Sequence, residues 1–119
     1  MVKLCRLRYA GGNFDKGPIV LTTSYFPNDV GKIMMRYDME KNSVRHLCQM
    51  NGIIRARTQK RLTAVQLPAR ERRLLGAQDN DLFISITSEI RDINARCVEY
   101  VESYYPVDRN EFTISTLSH

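Results

Sequence analysis

The sequence predicts an α+β domain: a mostly antiparallel sheet with flanking helices. Three observations carry this. Alternating runs come in pairs joined by turn residues, as in KLCRLRYAGGNFDKGPIVLTTSYFP and DLFISITSEIRDINARCVEYVESYY. Such pairs are hairpins, whose strands run antiparallel. Short stretches with apolar residues at helical spacing fall between them. With 119 residues, 43% of them hydrophobic, the chain can bury one core, so residues 1–119 form a single domain.

The order is β-β-α-α-β-α-β-β-β, with the helices expected on one side of the sheet. The first strand runs from Val2 to Tyr9 and puts Leu4, Arg6 and Arg8 on one face, because residues two apart on a strand point the same way. The loop AGGNFDKG follows, with Asn13 and Asp15 as turn formers and Lys16 as a loop charge. The second strand, Pro18 to Tyr25, is rich in β-branched residues and puts Thr22 and Ser24 on one face. Phe26-Pro27 stops it. Asn28 or Asp29 then caps a short helix carrying Val30, Ile33 and Met34 on one side. A second helix runs from Asn42 or Ser43 to about Met50, with Val44, Leu47 and Cys48 on one face and Asn51-Gly52 as its stop.

Ile53 to Val65 reads as a long strand with Arg55, Arg57, Gln59 and Arg61 on one face. This basic stripe is either a nucleic-acid groove or an edge strand charged against aggregation. No aromatic residue interleaves it to stack on bases, which favours the edge strand. Leu67-Pro68 opens a third helix with proline at its first position, and Gly76 closes it. Asp79-Asn80-Asp81 is a turn. Asp81 to Arg91 and Cys97 to Tyr105 form a hairpin, and the second of these places Glu99, Val101, Ser103 and Tyr105 on one face. Glu111 to Leu117 reads as a last short strand.

Composition narrows the function classes. No apolar run approaches the ~20 residues of a membrane span, so no membrane partner is expected. Three cysteines, far apart and without metal spacing, point to free thiols and a cytoplasmic setting. The net charge of +5 suits an anionic ligand or nucleic acid. Catalysis finds little support. Of the two histidines, His46 sits two helix positions from Cys48 and so does not face it, and His119 is the last residue. No metal motif or phosphate loop is present. No cofactor, metal or catalytic residue is expected. The methionines Met34, Met35, Met39 and Met50 read as core filling.

The strongest constellation is Arg6, Arg8, Ser43, Glu99 and Tyr105. Two guanidiniums grip a phosphate, phosphonate or carboxylate in fork geometry. Ser43 adds a hydroxyl at a helix start. Glu99 and Tyr105 share a strand face and offer hydrogen bonds to a ligand body. The alternative for Arg6 and Arg8 is pairing with surface acids such as Glu89 or Glu102.

These residues carry a family resemblance. RLRYAGG…GPIVLTTSYFP resembles the early core of the UTRA domain, the effector-binding half of GntR-type (HutC subfamily) bacterial transcription regulators. NSVRHLCQMNGI is similar to that family's Ser-led helix, RLTAVQLPARERRLLG to its strand and helix, DLFISITSEI to its penultimate core strand, and VEYVESYYPVDRNEFTI to its closing strands. The likeness runs from about Leu4 to Ile114. It implies a chorismate-lyase-like fold, a small anionic effector, and frequent homodimers. In members that bind a phosphosugar, positions matching Arg6, Arg8 and Ser43 hold the phosphate, and positions matching Glu99 and Tyr105 contact the ligand body. This chain departs from the family in carrying Thr22 where many members have Glu, and Arg45 where many have Tyr. Both changes tilt toward a more anionic effector, and both positions join the expected ligand-binding set. The family's winged-helix domain does not precede the first strand, so the chain is expected to be either an N-terminally truncated fragment or a domain standing alone, reaching DNA only through a domain absent from this chain. The rival is a small chorismate-lyase-like enzyme acting on an anionic metabolite. A nucleic-acid binder using Arg55, Arg57 and Arg61 is a third option.

Overall fold

The computed structural model describes residues 1–12, 17–78 and 80–117. The expected loop residues Asn13, Asp15 and Lys16, the turn residue Asp79, and His119 lie outside the described residues. The chain builds β1 (Val2–Tyr9), β2 (Pro18–Phe26), α1 (Asn28–Met34), α2 (Val44–Met50), β3 (Arg57–Val65), α3 (Ala69–Leu75), β4 (Phe83–Arg91) and β5 (Cys97–Pro106). One five-stranded sheet has the order β1-β2-β5-β4-β3, and every neighbouring pair is antiparallel. The α+β class and the antiparallel sheet stand as the hairpin pattern predicts.

Register fixes which side chains share a face. Arg6 lies opposite Thr22, Thr22 opposite Ser103, and Ser103 opposite Ile86. One step along, Leu4, Ser24, Val101, Ser88 and Lys60 form the adjacent row. All of these point to the same side because alternation is strict within a strand. α1 and α2 cover one end of this face, packing Val30, Met34, Val44, Leu47 and Cys48 with Phe26, Ile90 and Val98. Leu47 is fully buried.

The helices do not all lie on one side, contrary to the sequence expectation. α3 packs Leu75, with Leu67, on Leu21 and Phe83, which alternate onto the opposite face. A sheet with apolar residues on both faces needs cover on both. Gly76 ends α3 in the left-handed conformation at φ 63°, as expected of a C-terminal glycine. Pro27 and Pro68 occupy the N-cap positions of α1 and α3, and neither offers a capping side chain.

Two strand assignments change. The third strand begins at Arg57 rather than Ile53. The last strand is not formed: beyond the short helical turn Val107–Arg109, residues 110–117 are irregular. Only half of the methionine expectation stands, since Met34 is buried and Met39 packs on the core while Met35 and Met50 are exposed.

Candidate functional site

The seven expected ligand residues divide into two groups. Arg6, Arg8, Thr22, Glu99 and Tyr105 sit on the sheet face that α1 and α2 partly cover. Ser43 and Arg45 sit at the start of α2, which packs on that same face.

At the Arg6 row the polar groups are unusual. Thr22 Oγ1 and Ser103 Oγ lie 3.3 Å apart and share a hydrogen bond. Arg6 Nε and, in the adjacent row, Ser24 Oγ are buried without a hydrogen-bond partner. Buried polar groups are normally paired, and an unpaired one costs about 1–3 kcal/mol. Glu89 and Glu102, the acids weighed as partners for Arg6 and Arg8, alternate onto the opposite face. There Glu89 pairs with Arg91, and Glu102 accepts from the Tyr104 hydroxyl at 3.0 Å. Tyr105 packs edge to face on Phe112, with ring centroids 5.2 Å apart, so the irregular tail touches the same face. Ser43 caps α2, its Oγ accepting from the His46 N–H at 3.1 Å.

Glu99 is engaged in a way the sequence did not indicate. It is 4% exposed, and its Oε1 accepts from Arg55 Nη1 at 2.6 Å. The same nitrogen lies 3.9 Å from Cys48 Sγ. Burial works against the Arg55 charge, but Glu99 outweighs it and holds the guanidinium's pKa above its ordinary value. Burial also pushes the Cys48 thiol up, making it a poor nucleophile. Arg55 therefore leaves the basic stripe to which its spacing assigned it. It precedes β3, where Ala56 N–H donates to the Arg91 carbonyl at 2.9 Å, and it crosses to the opposite side of the sheet. Arg57, Gln59 and Arg61 remain exposed together on the other face.

A cavity of about 400 Å³ opens beside this ion pair, lined by Arg45, Gln49, Ile53, Ile54, Arg55 and Thr58 among others. Arg45 is thereby the one expected ligand residue that lines it. Among the described residues, no group of three or more His, Cys, Asp or Glu side chains is placed to hold a metal ion, and no helix is long and apolar enough to cross a membrane. The described arrangement can hold an oxyanion through guanidinium and hydroxyl donors.

Comparisons with known proteins agree with this fold. The family model described as the UTRA domain matches residues 1–111. The effector domain of PhnF from Mycobacterium smegmatis superposes with a TM-score of 0.86 at 22% identity, covering 98% of this chain and 69% of that one. A GntR-family transcriptional regulator from Enterococcus faecalis gives a TM-score of 0.77 at 21% identity, over 96% of this chain and 79% of that one. Against the structure titled as PhnF itself, the TM-score is 0.77 at 22% identity, over 87% of this chain and 46% of the other. No curated protein matches the chain.

Proposed function

The chain belongs to the UTRA domain family, and from that premise we propose that it is the ligand-sensing domain of a bacterial transcription regulator of the GntR type (HutC subfamily), binding a small phosphorylated, phosphonate or carboxylate effector. The observation that carries this is the pair of buried, partnerless donors, Arg6 Nε and Ser24 Oγ. They flank the Thr22–Ser103 hydroxyl pair. An oxyanion seated there would satisfy both donors and draw a second guanidinium from Arg8. Tyr105, two residues along β5 from Ser103, shares that face, and Ser43 and Glu99 are the expected further members of the ligand set.

The role is binding and not turnover. Its support is that the solved relatives are an effector domain and transcription regulators by title, and that Cys48 lies buried with its thiol pKa raised. The domain works in the cytoplasm as a homodimer. Effector binding stabilises one dimer geometry, and a DNA-binding domain outside this chain reports the difference. Such a shift requires differential affinity for the two states.

Thermal unfolding with phosphate esters, phosphonates, dicarboxylates and inorganic phosphate tests the reading. A ligand at ~100 times its Kd adds about 2.7 kcal/mol. The expected result is a raised Tm in the wild type that disappears in Arg6→Ala/Arg8→Ala, with no product formed. A shift that survives the double substitution removes these arginines from the site, and turnover of the bound compound overturns the non-enzymatic role.

A further inference from the structure

Arg55 is held on one side only. Among the described residues, its hydrogen bonds to Glu99 and to Cys48 both use Nη1. The Arg55 side chain is 19% exposed, and it lines the cavity. Anchoring one nitrogen fixes the guanidinium plane in advance, and an oriented donor loses little freedom on binding. Arg45 brings a second cation to the same cavity, Gln49 an amide and Thr58 a hydroxyl. Among the described residues, no acidic one lines it. With Glu99 behind Arg55 the local charge is one positive unit net. Ile53 and Ile54 supply an apolar wall. A volume of about 400 Å³ is within the range of small-molecule sites.

We propose that this cavity is a second anion site, built for a small carboxylate with an apolar body, in which Arg55 receives the carboxylate edge-on and Arg45 closes over it. It is distinct from the Arg6 row. Glu99, which positions Arg55, lies four residues along β5 from Ser103, about 13 Å at the rise of a strand. Glu99 is a positioning residue here, and its charge opposes the ligand's.

The test is a titration of the ¹⁵N-labelled 119-residue chain with benzoate, phenyl phosphate and inorganic phosphate, followed by amide shifts. Benzoate is expected to move Gln49, Gly52, Ile53, Ile54 and Thr58. Arg45→Gln should weaken it roughly tenfold, the loss of about one charge-assisted contact, while Lys32→Gln, an equal charge change on α1, alters it less than about twofold by screening. Glu99→Gln keeps a carbonyl acceptor for Arg55 and removes the opposing charge, so benzoate should bind more tightly. Weaker benzoate binding in folded Glu99→Gln would make Glu99 a ligand contact and overturn the positioning role. Shifts confined to β1 and β2, or none, overturn the site. Phenyl phosphate or inorganic phosphate binding there in preference to benzoate overturns the carboxylate assignment.

Discussion

Replacing Arg55 by Met should cost this domain about 3–5 kcal/mol, because it leaves the Glu99 carboxylate buried without a counter-charge. The size follows from the geometry. The two groups meet at 2.6 Å, and their side chains are 19% and 5% exposed. With charge centres about 4 Å apart and an effective dielectric of ~20, the attraction lost is about 4 kcal/mol. That is a large part of the ~5–15 kcal/mol that holds a domain of this size. Urea unfolding at neutral pH reads it directly. With a slope of about 1.5 kcal/mol per molar, the midpoint should fall by about 2–3 M. The double variant Arg55→Met/Glu99→Leu should recover most of the stability, since a buried pair often does no better than apolar residues of similar volume. A single-variant cost below about 1 kcal/mol is the value of an exposed pair, and would refute the view that Glu99 is sealed.

Two further perturbations test the packing and the electrostatics. Gly31 of α1 is buried with Val2 directly over it, so the Cβ of Gly31→Ala would strike the Val2 side chain. The substitution should destabilise by about 1–3 kcal/mol despite alanine's better helix propensity, and adding Val2→Ala should restore most of the loss in denaturant melts. Burial and the hydrogen bond to Glu102 push the Tyr104 hydroxyl up to about 12. Its folded pKa is raised above the unfolded value of 10.0. The stabilisation is therefore fully present below pH 10 and fades as pH rises towards 12. Ultraviolet titration should show a late tyrosine transition that is lost in Tyr104→Phe; a titration curve unchanged by that substitution at high pH would contradict it.

Most of the sheet was legible because alternation is a strong signal when one face must be dry. It placed Arg6 with Arg8, Thr22 with Ser24, and Glu99 with Ser103 and Tyr105, and the register joins these into rows. Arg55 was not legible. The run Arg55-Ala56-Arg57 has the spacing of a strand, and periodicity cannot see that pairing with β4 begins at Arg57 and that Arg55 bonds to a residue 44 positions away. Glu111 to Leu117 alternates as well as any strand in the chain. Pattern reports a preference for a pleated surface, not the presence of a partner, and none of the ladders takes up this segment. The placement of α3 on the opposite face was missed for a related reason: Leu21 and Phe83 read as members of apolar strands, but only register says which way they point.

The central ladder has a consequence for how the domain assembles. β1 with β2, and β4 with β5, close as local hairpins, and β3 joins β4 across a short helix. Only β2 with β5 is non-local, pairing Thr22 with Ser103, and it spans Leu21–Tyr25 against nine paired positions between β3 and β4. Loop closure makes such contacts the slow ones to form. Arg109 stitches that seam at one end, its Nη1 donating to the Pro18 carbonyl at 2.8 Å and the Leu75 carbonyl at 2.6 Å. Arg6 and Thr22 stand on one side of the seam, and Ser103 stands on the other. An anion held between them would act as a clamp on the last-formed, least-paired join in the sheet, so that occupancy would be felt as a change in how often the two halves part.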